Sequence, residues 1–418
     1  MTECQPVTAR PPSGPVRGAR SEDGLLRFRG VRYGTAERFQ LPRAAEPRSD
    51  AVLPGPICPQ LSSRLEAAMG PPRDEPPQSE DCLNLAVATP ALTGARPVLV
   101  WLHGGGFLSG GGTLPWYDGG RLAADGDVVV VSVNYRLGAF GYLVHDGVSE
   151  GNLGLADQAL ALEWVRDNIA AFGGDPGNVT VFGQSAGALS TLALLSKPDS
   201  RALIRRAIVQ SSPAPGIIQE RAKALEIGRY FVEAVGEDPA TASVDQLLAA
   251  QLRTLQWNAA KDPTSTRPPF GLVDLEVRLL DPLPDLMIGY TKQECEAFAI
   301  GLQDDGIRQA IVDQTEPLFG RPARDLAQQY GAYSYEFDWT PEHGGYGAIH
   351  CLELPFLLGT PESWRGSPML GDASWAEVER LGTRMRLWWT EFARSGSPGW
   401  GGASVRIGNS PQTLENTP

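Results

Sequence analysis

The chain reads Asn178-Val179-Thr180-Val181-Phe182-Gly183-Gln184-Ser185-Ala186-Gly187 near its middle. The β-branched and aromatic run up to Phe182 is typical of a strand, and the apolar run over 188–195 is typical of a helix. A G-x-S-x-G pattern between such a strand and helix predicts a sharp turn that exposes the serine hydroxyl, and the two glycines relieve crowding there. We therefore take Ser185 as a candidate nucleophile, the alternative being an ordinary glycine-rich connection.

The sequence around this turn indicates alternating strands and helices. Unbroken apolar runs at 98–102 and 128–133 are expected of strands covered on both faces, and runs at 207–209, 286–288 and 335–337 predict further strands. Apolar residues at three- and four-residue spacing predict an amphipathic helix over 160–172. This alternation predicts an α/β fold with a central, mostly parallel twisted sheet and helices on both faces.

The organisation of the chain favours one domain over residues 1–418, because no repeat or low-complexity linker divides it. Over 217–284, helical pieces alternate with polar, proline-rich loop, and we expect this section to cover the carboxyl ends of the strands. The first ten residues are predicted to be a loose tail, residues 16–33 a hairpin, and the proline-rich stretch 54–79 a surface loop.

Composition excludes several classes of function. The 418 residues carry a net charge of −13, which argues against nucleic-acid partners and anionic membrane surfaces. The chain has no apolar run of bilayer length and no leader pattern at Met1, so we expect a cytoplasmic protein that does not bind membranes. The odd number of cysteines favours reduced thiols, and the absence of Cys/His ligand spacing predicts that the protein binds no metal. The sequence contains neither a dinucleotide-binding pattern nor a P-loop, so we expect no cofactor. The cysteines are Cys4, Cys58, Cys82, Cys295 and Cys351.

A serine nucleophile needs oxyanion donors, a base and an acid that orients the base. The stretch His103-Gly104-Gly105-Gly106-Phe107 follows a predicted strand and is typical of an oxyanion loop, in which glycines let backbone N–H groups approach the substrate.

The base is sought among four histidines. His103 opens the glycine loop and His145 precedes Ser185, whereas the order in such folds is serine, acid, histidine. Of the two that remain, His350 enters an apolar segment and is favoured over His343, which lies in a polar loop. The acid should follow a strand between the serine and the base. Glu294 is the main candidate, with Glu296 and Asp274 as alternatives.

These motifs and several others resemble the type-B carboxylesterase family, which includes para-nitrobenzyl esterases and cholinesterases. The resemblance implies an α/β-hydrolase fold, a triad of Ser185, Glu294 and His350, and oxyanion donors at Gly105, Gly106 and Ala186. It also implies a supporting role near the triad for Ser211, structural ion pairs Arg38–Glu80 and Arg136–Asp157, and proximity of Cys58 and Cys82, the family's first disulfide positions. The matching segments are 79–85, 134–138, 151–158, 172–176, 179–187 and 392–398.

Two departures from the family pattern bear on the substrate. Gln184 stands where cholinesterases have glutamate, so a cationic alcohol group is less favoured. The short interval between Glu294 and His350 implies a reduced helical cap. Aromatic residues at Phe107, Trp116 and Phe270, with Tyr117 and Trp257, are candidate pocket walls and favour small aryl or short-chain, uncharged esters.

The resemblance therefore implies a serine carboxylesterase that works through an acyl-enzyme, with a small-molecule ester as its partner. The alternatives are an acyltransferase or cyclase that uses the same acyl-enzyme, and a binding protein without catalysis. The sequence leaves open whether the protein is a monomer or a dimer, and whether Cys58 and Cys82 are oxidised.

Overall fold

The computed structural model describes residues 5–46 and 50–409, and the backbone of 412–413. Most of its strands join one twelve-stranded sheet, while β4 pairs with β5 and β9 with β10. The strands are β1 (Gln5–Ala9), β2 (Val16–Arg20), β3 (Leu26–Arg32), β4 (Gly34–Thr35), β5 (Arg43–Ala44), β6 (Asn84–Thr89), β7 (Arg96–Leu102), β8 (Val129–Val133), β9 (Val144–His145), β10 (Ser149–Glu150), β11 (Gly174–Gln184), β12 (Arg206–Gln210), β13 (Asp285–Thr291), β14 (Tyr333–Phe337), β15 (Ser404–Ile407) and β16 (Gln412–Thr413).

The large sheet has the strand order β1-β2-β3-β6-β8-β7-β11-β12-β13-β14-β15-β16. From β8 to β15 every neighbouring pair is parallel, and the pairs outside that block are antiparallel. The predicted strands at 98–102, 128–133, 207–209, 286–288 and 335–337 all lie in the parallel block, so the prediction of a mostly parallel sheet is confirmed.

Helices connect the strands and cover the sheet. A 3₁₀ turn over Ile169–Phe172 extends α4 and ends at Gly173. The helices are α1 (Glu66–Met69), α2 (Gly120–Gly126), α3 (Gly138–Tyr142), α4 (Leu153–Asn168), α5 (Ala186–Leu195), α6 (Pro198–Arg201), α7 (Arg221–Val235), α8 (Val244–Lys261), α9 (Glu296–Ala299), α10 (Asp305–Val312), α11 (Arg321–Tyr330), α12 (Leu354–Leu357) and α13 (Trp375–Ser395).

The core lies on both faces of the sheet. Side chains alternate along β7, so that Val98, Val100 and Leu102 join one apolar cluster while Leu99 and Trp101 join the other. The first cluster also contains apolar residues of α4 and α5, and the second contains residues of α2 and α13. Burial on two faces explains why these strands are continuous apolar runs in the sequence.

The amino-terminal region differs partly from the prediction. β2 and β3 form the expected hairpin, with Ala19 opposite Arg27. Residues 5–9, predicted to be a tail, form β1 and pair antiparallel with β2, because the edge of the sheet offers unpaired backbone groups that no short sequence window reveals. Cys4 lies outside the described residues.

The parallel block places several strand ends at one edge of the sheet. β7 ends at Leu102 just before the glycine loop, β11 ends at Gln184 just before Ser185, and β13 ends three residues before Glu294. Because parallel strands share one direction, these three carboxyl ends meet, and the residues after them form the candidate site.

Candidate active site

Ser185 occupies a strained turn between β11 and α5. Its backbone has φ 57° and ψ −121°, a conformation that side-chain-bearing residues rarely adopt. The flanking glycines are required sterically. A Cβ on Gly187 would lie 2.0 Å from the carbonyl oxygen of Leu102, and one on Gly183 would lie 2.5 Å from the backbone of Gly187. The turn therefore has the geometry of a nucleophile elbow.

The glycine loop lies directly against this turn. A Cβ on Gly104 would lie 3.1 Å from Cβ of Ser185, and Gly105 and Gly106 have φ values of 112° and 61°. These positive angles favour glycine, and Gly105 and Gly106 line the same cavity as Ser185 and Ala186. The residues predicted to donate to an oxyanion are thus grouped around one space.

Glu294 and His350 form a fully buried pair, although the sequence separates them widely. Nδ1 of His350 lies 2.5 Å from Oε2 of Glu294, and both side chains have 0% exposure. The other carboxylate oxygen of Glu294 accepts a hydrogen bond of 2.8 Å from the backbone N–H of Thr291. This arrangement fixes Nδ1 of the imidazole as the protonated nitrogen and leaves Nε2 as an acceptor.

Gln184 contacts the other side of the imidazole. Its amide Nε2 donates to Nε2 of His350 over 3.0 Å. Within the described residues Oγ of Ser185 has no hydrogen-bond partner. The structure therefore brings the predicted acid and the predicted base together but leaves the serine hydroxyl free in the cavity. In unliganded enzymes, hydrogen bonds between catalytic groups are often long and tighten only when substrate binds.

The alternative residues lie elsewhere. The side chain of His343 is 76% exposed, and Glu296 faces Arg308 across 3.7 Å. Asp274 caps the backbone N–H of Arg221. His103 is fully buried, and burial lowers its pKa to about 4, so it remains neutral behind the glycine loop. None of these side chains is placed to replace His350 or Glu294.

The cavity beside Ser185 has a volume of about 280 Å³. Phe107 lines it as predicted, whereas Trp116 lines a separate cavity of about 110 Å³ next to Gln184. Phe270 lies in the core instead, where it is 2% exposed and its ring packs edge-to-face against Phe231. The two prolines that precede Phe270 line the cavity in its place. Residues 61–63 and Leu65, predicted to be surface loop, line both cavities, and Arg64 lines the larger one.

Two aromatic residues that the sequence did not indicate flank the imidazole of His350. The ring centroids of Phe298 and Phe319 lie 5.1 Å and 5.3 Å from that of His350, and both rings line the cavity. Phe298 lies in the short helix α9, and Phe319 in a π-helical turn over Glu316–Gly320. No sequence pattern marks Phe298 or Phe319 as a neighbour of His350, because only the tertiary fold brings their two turns to the imidazole.

A second buried carboxyl group, Glu353, was also missed. It accepts hydrogen bonds of 3.0 Å from Nε2 of Gln210 and 2.8 Å from the hydroxyl of Tyr335. Burial raises the pKa of Glu353 to about 7, and the negative charge of Glu294 acts in the same direction. The only indication of Glu353 in the sequence was the presence of an acidic residue three positions after His350.

The remaining predictions concern the scaffold. Arg136 and Asp157 form a buried bidentate pair with contacts of 2.7 and 2.9 Å.

Ser211 has φ 51°, and its buried Oγ finds no partner among the described residues. Cys58 and Cys82 are adjacent free thiols, and this contact together with burial raises the pKa of Cys82. The pair Arg38–Glu80 is also present.

The match to a family model decides which group of proteins this is. The model described as the carboxylesterase family matches residues 5–316. The chain belongs to the carboxylesterase family. The predicted type-B carboxylesterase membership and α/β-hydrolase fold are therefore confirmed, and the protein is a serine hydrolase that cleaves carboxylic esters.

Individual relatives cover almost the whole carboxylesterase. A Rhodococcus erythropolis protein named Probable N-octanoylanthranilate hydrolase AqdA2 is 40% identical, in an alignment that covers 95% of each chain. The para-nitrobenzyl esterase of Bacillus subtilis (strain 168) is 35% identical and covers 92% of this chain and 89% of its own. A solved structure of a thermophilic PNB esterase superposes with a TM-score of 0.82 at 30% identity, covering 98% of this chain and 97% of the other.

Within the described ranges, no helix combines the length and the apolar character that crossing a bilayer requires.

Proposed function

We propose that Ser185, Glu294 and His350 are the catalytic triad, and that the enzyme hydrolyses small aryl or short-chain carboxylic esters through an acyl-enzyme. The observation that supports this most directly is the buried carboxylate–imidazole pair, at 2.5 Å, beside a strained serine. A buried carboxylate holds the imidazole in the tautomer that can accept a proton at Nε2 and stabilises the imidazolium that forms.

The proposed reaction has two halves. Oγ of Ser185 attacks the ester carbonyl carbon while Nε2 of His350 takes the hydroxyl proton. The carbon–oxygen bond to the alcohol then breaks, and His350 gives that proton to the departing oxygen. A water molecule, deprotonated by His350 in turn, releases the carboxylic acid and restores the serine.

Backbone N–H groups of Gly105, Gly106 and Ala186 would hold the oxyanion in both halves. Each well-placed donor contributes about 3–4 kcal/mol to the transition state in comparable enzymes. The amide of Gln184 occupies Nε2 of His350 in the resting arrangement. We expect this amide to release the imidazole when a substrate orders the serine hydroxyl.

The apolar surroundings support an apolar acyl or aryl group in the substrate. Phe107, Phe298 and Phe319 line the cavity together with leucines and prolines. The name of the Rhodococcus relative gives an N-acylated aromatic amine as that protein's substrate. Aryl amides are therefore a second substrate class to test beside aryl esters.

Substitution of the serine tests the assignment. Ser185→Ala should lower kcat for a phenyl ester by about 10⁴-fold or more, since the nucleophile is lost while the oxyanion donors remain. An organophosphate should modify Ser185 in the wild type, as read by mass spectrometry of the labelled peptide. Ser21→Ala, in the hairpin turn, is a matched control that should retain full activity.

The outcomes separate the alternatives. Activity of Ser185→Ala within a few-fold of wild type would overturn the triad. Failure of the organophosphate to react would favour a protein that binds without catalysis. Acyl transfer to added alcohols or amines in preference to water, seen by product analysis, would favour an acyltransferase or cyclase.

A further inference from the structure

Arg64 is a cation in the wall of the cavity beside Ser185, and it has no anionic partner among the described residues. Its side chain lines the same space as Ser185 and Phe298. Among the described residues no carboxylate lies within ion-pair distance of it, and its hydrogen bond is a long one, 3.4 Å from Nη2 to the carbonyl oxygen of Thr266. By contrast, Arg136 on the same protein is fully paired with a buried carboxylate.

The position of Arg64 relates it to the base. Its guanidinium carbon lies 4.8 Å from the ring centroid of Phe298, and that ring lies 5.1 Å from the imidazole of His350. Taken together, these distances keep the guanidinium within about 10 Å of the imidazole, inside the span of one small ligand. One aromatic ring that carries a carboxylate can bridge such a gap.

Protein atoms surround this charge, although the side chain of Arg64 is exposed. Desolvation by these atoms lowers the pKa of the Arg64 guanidinium. The other charged residues of the cavity wall are Arg267 and Asp262, and the carboxylate of Asp262 already accepts hydrogen bonds from Thr264. An anion in the cavity would therefore meet a guanidinium that has no carboxylate partner among the described residues.

We propose that Arg64 binds a carboxylate on the leaving group of the substrate, so that the preferred substrates are aryl esters or anilides whose phenol or aniline is carboxylated. This inference rests on the proposed function, because the imidazole that protonates the leaving group must lie beside it. Phe298, between His350 and Arg64, then packs against the aromatic ring of the leaving group. The inference departs from the sequence-based prediction of an uncharged substrate.

The test compares three esters of similar size. They are meta-carbamoylphenyl butanoate, meta-carboxyphenyl butanoate and phenyl hydrogen adipate, which carries its carboxylate on the acyl side. The meta position in the second ester, and the longer chain in the adipate, keep each carboxylate from attacking its own ester. We expect wild type to favour the carboxyphenyl ester over its carbamoyl counterpart in kcat/KM, and added salt to reduce that preference.

Variants then locate the charge that is responsible. Arg64→Gln should lower the carboxyl-to-carbamoyl ratio of kcat/KM by about tenfold to 100-fold, and Arg64→Lys should retain part of it. Arg267→Gln removes the same charge from another part of the wall and should lower the ratio less. Arg43→Gln, at an exposed site on β5, should leave the ratio unchanged and controls for net charge. Organophosphate labelling counts active sites in each preparation.

Each other result overturns the inference. An unchanged carboxyl-to-carbamoyl ratio of kcat/KM in Arg64→Gln would show that the charge of Arg64 does not bind the carboxylate of the substrate. Equal losses of kcat/KM on the two butanoate esters would show the same. If only the adipate ester depends on Arg64, the carboxylate that Arg64 binds lies on the acyl side of the substrate. If Arg64→Gln fails to fold, two other measurements decide. The inference is wrong if the carboxyl-to-carbamoyl ratio of kcat/KM does not respond to salt in wild type and is unaltered in Arg64→Lys. A wild type that hydrolyses none of the esters would instead overturn the proposed function, and this inference with it.

Discussion

Replacement of Glu353 by glutamine should make the protein's stability less dependent on pH. The carboxyl is completely buried between Gln210 and Tyr335, and its pKa is raised by burial to about 7. Glu353→Gln keeps the size and the hydrogen-bonding positions of the side chain but cannot ionise. The tyrosine hydroxyl can rotate to accept from the new amide, so the substitution isolates the effect of charge.

The direction follows from proton binding in the two states. Below about pH 4.5 the carboxyl is protonated in the folded and the unfolded chain alike. Between about pH 4.5 and 7 the unfolded chain releases this proton while the folded protein keeps it, so the free energy of unfolding falls as the pH rises. Above pH 7 the loss is complete. At 1.36 kcal/mol for each pH unit, the carboxyl of Glu353 lowers the stability by about 3 kcal/mol across this window.

Urea unfolding of both proteins between pH 4.5 and 8, followed by tryptophan fluorescence, measures this effect. The free energy of unfolding of Glu353→Gln relative to wild type should increase by about 3 kcal/mol over that range. Subtracting the two curves removes contributions from every other group that titrates in both. Glu233→Gln, at an exposed position on α7, is the matched control and should run parallel to wild type.

Parallel curves for wild type and Glu353→Gln would refute the reasoning, because they would show that Glu353 ionises as readily in the folded protein as in the unfolded chain. A difference that grows toward low pH would also refute it, since this would mean that the native state favours the ionised carboxylate.

Three further predictions concern the site and its scaffold. Gln184→Glu should move the acidic limb of the pH–rate profile to higher pH, because a carboxylate beside the imidazole favours the imidazolium; an unmoved limb would contradict the contact. Gly187→Ala should destabilise the protein by about 1–3 kcal/mol and lower kcat, since the new Cβ would lie 2.0 Å from a backbone oxygen of β7; wild-type stability in urea would be inconsistent with that crowding. Asp157→Asn leaves the guanidinium of Arg136 buried without its charge partner and should cost about 3–5 kcal/mol in urea unfolding, a loss below 1 kcal/mol being the contrary result.

The residues of the candidate site were predictable to different degrees. Ser185 and the glycine loop follow strands directly, so a local pattern is enough to find them. His350 could be reached because the chain contains only four histidines. Glu294 was chosen among several acidic residues by a strand-then-turn pattern and by resemblance, and its contact with the imidazole is visible only in the structure.

The walls of the cavity were much less predictable. Phe270 was a reasonable candidate by residue type, yet it packs in the core while Phe298 and Phe319 reach the imidazole. Residue type indicates that a side chain is suited to an apolar environment, but it does not distinguish a core from a cavity wall. That distinction depends on how separate turns are placed in space.

The amino-acid sequence alone indicated the alternating strands and helices of the parallel block, the sharp serine turn and the glycine loop, because steric and hydrophobic constraints on these features act between near neighbours. Tertiary structure alone decided that β1 joins the sheet, that Gln184 holds the imidazole and that Arg64 faces the cavity without a carboxylate partner among the described residues. Those outcomes depend on contacts between segments far apart in the chain. Their energies come from burial and charge, which no local pattern encodes.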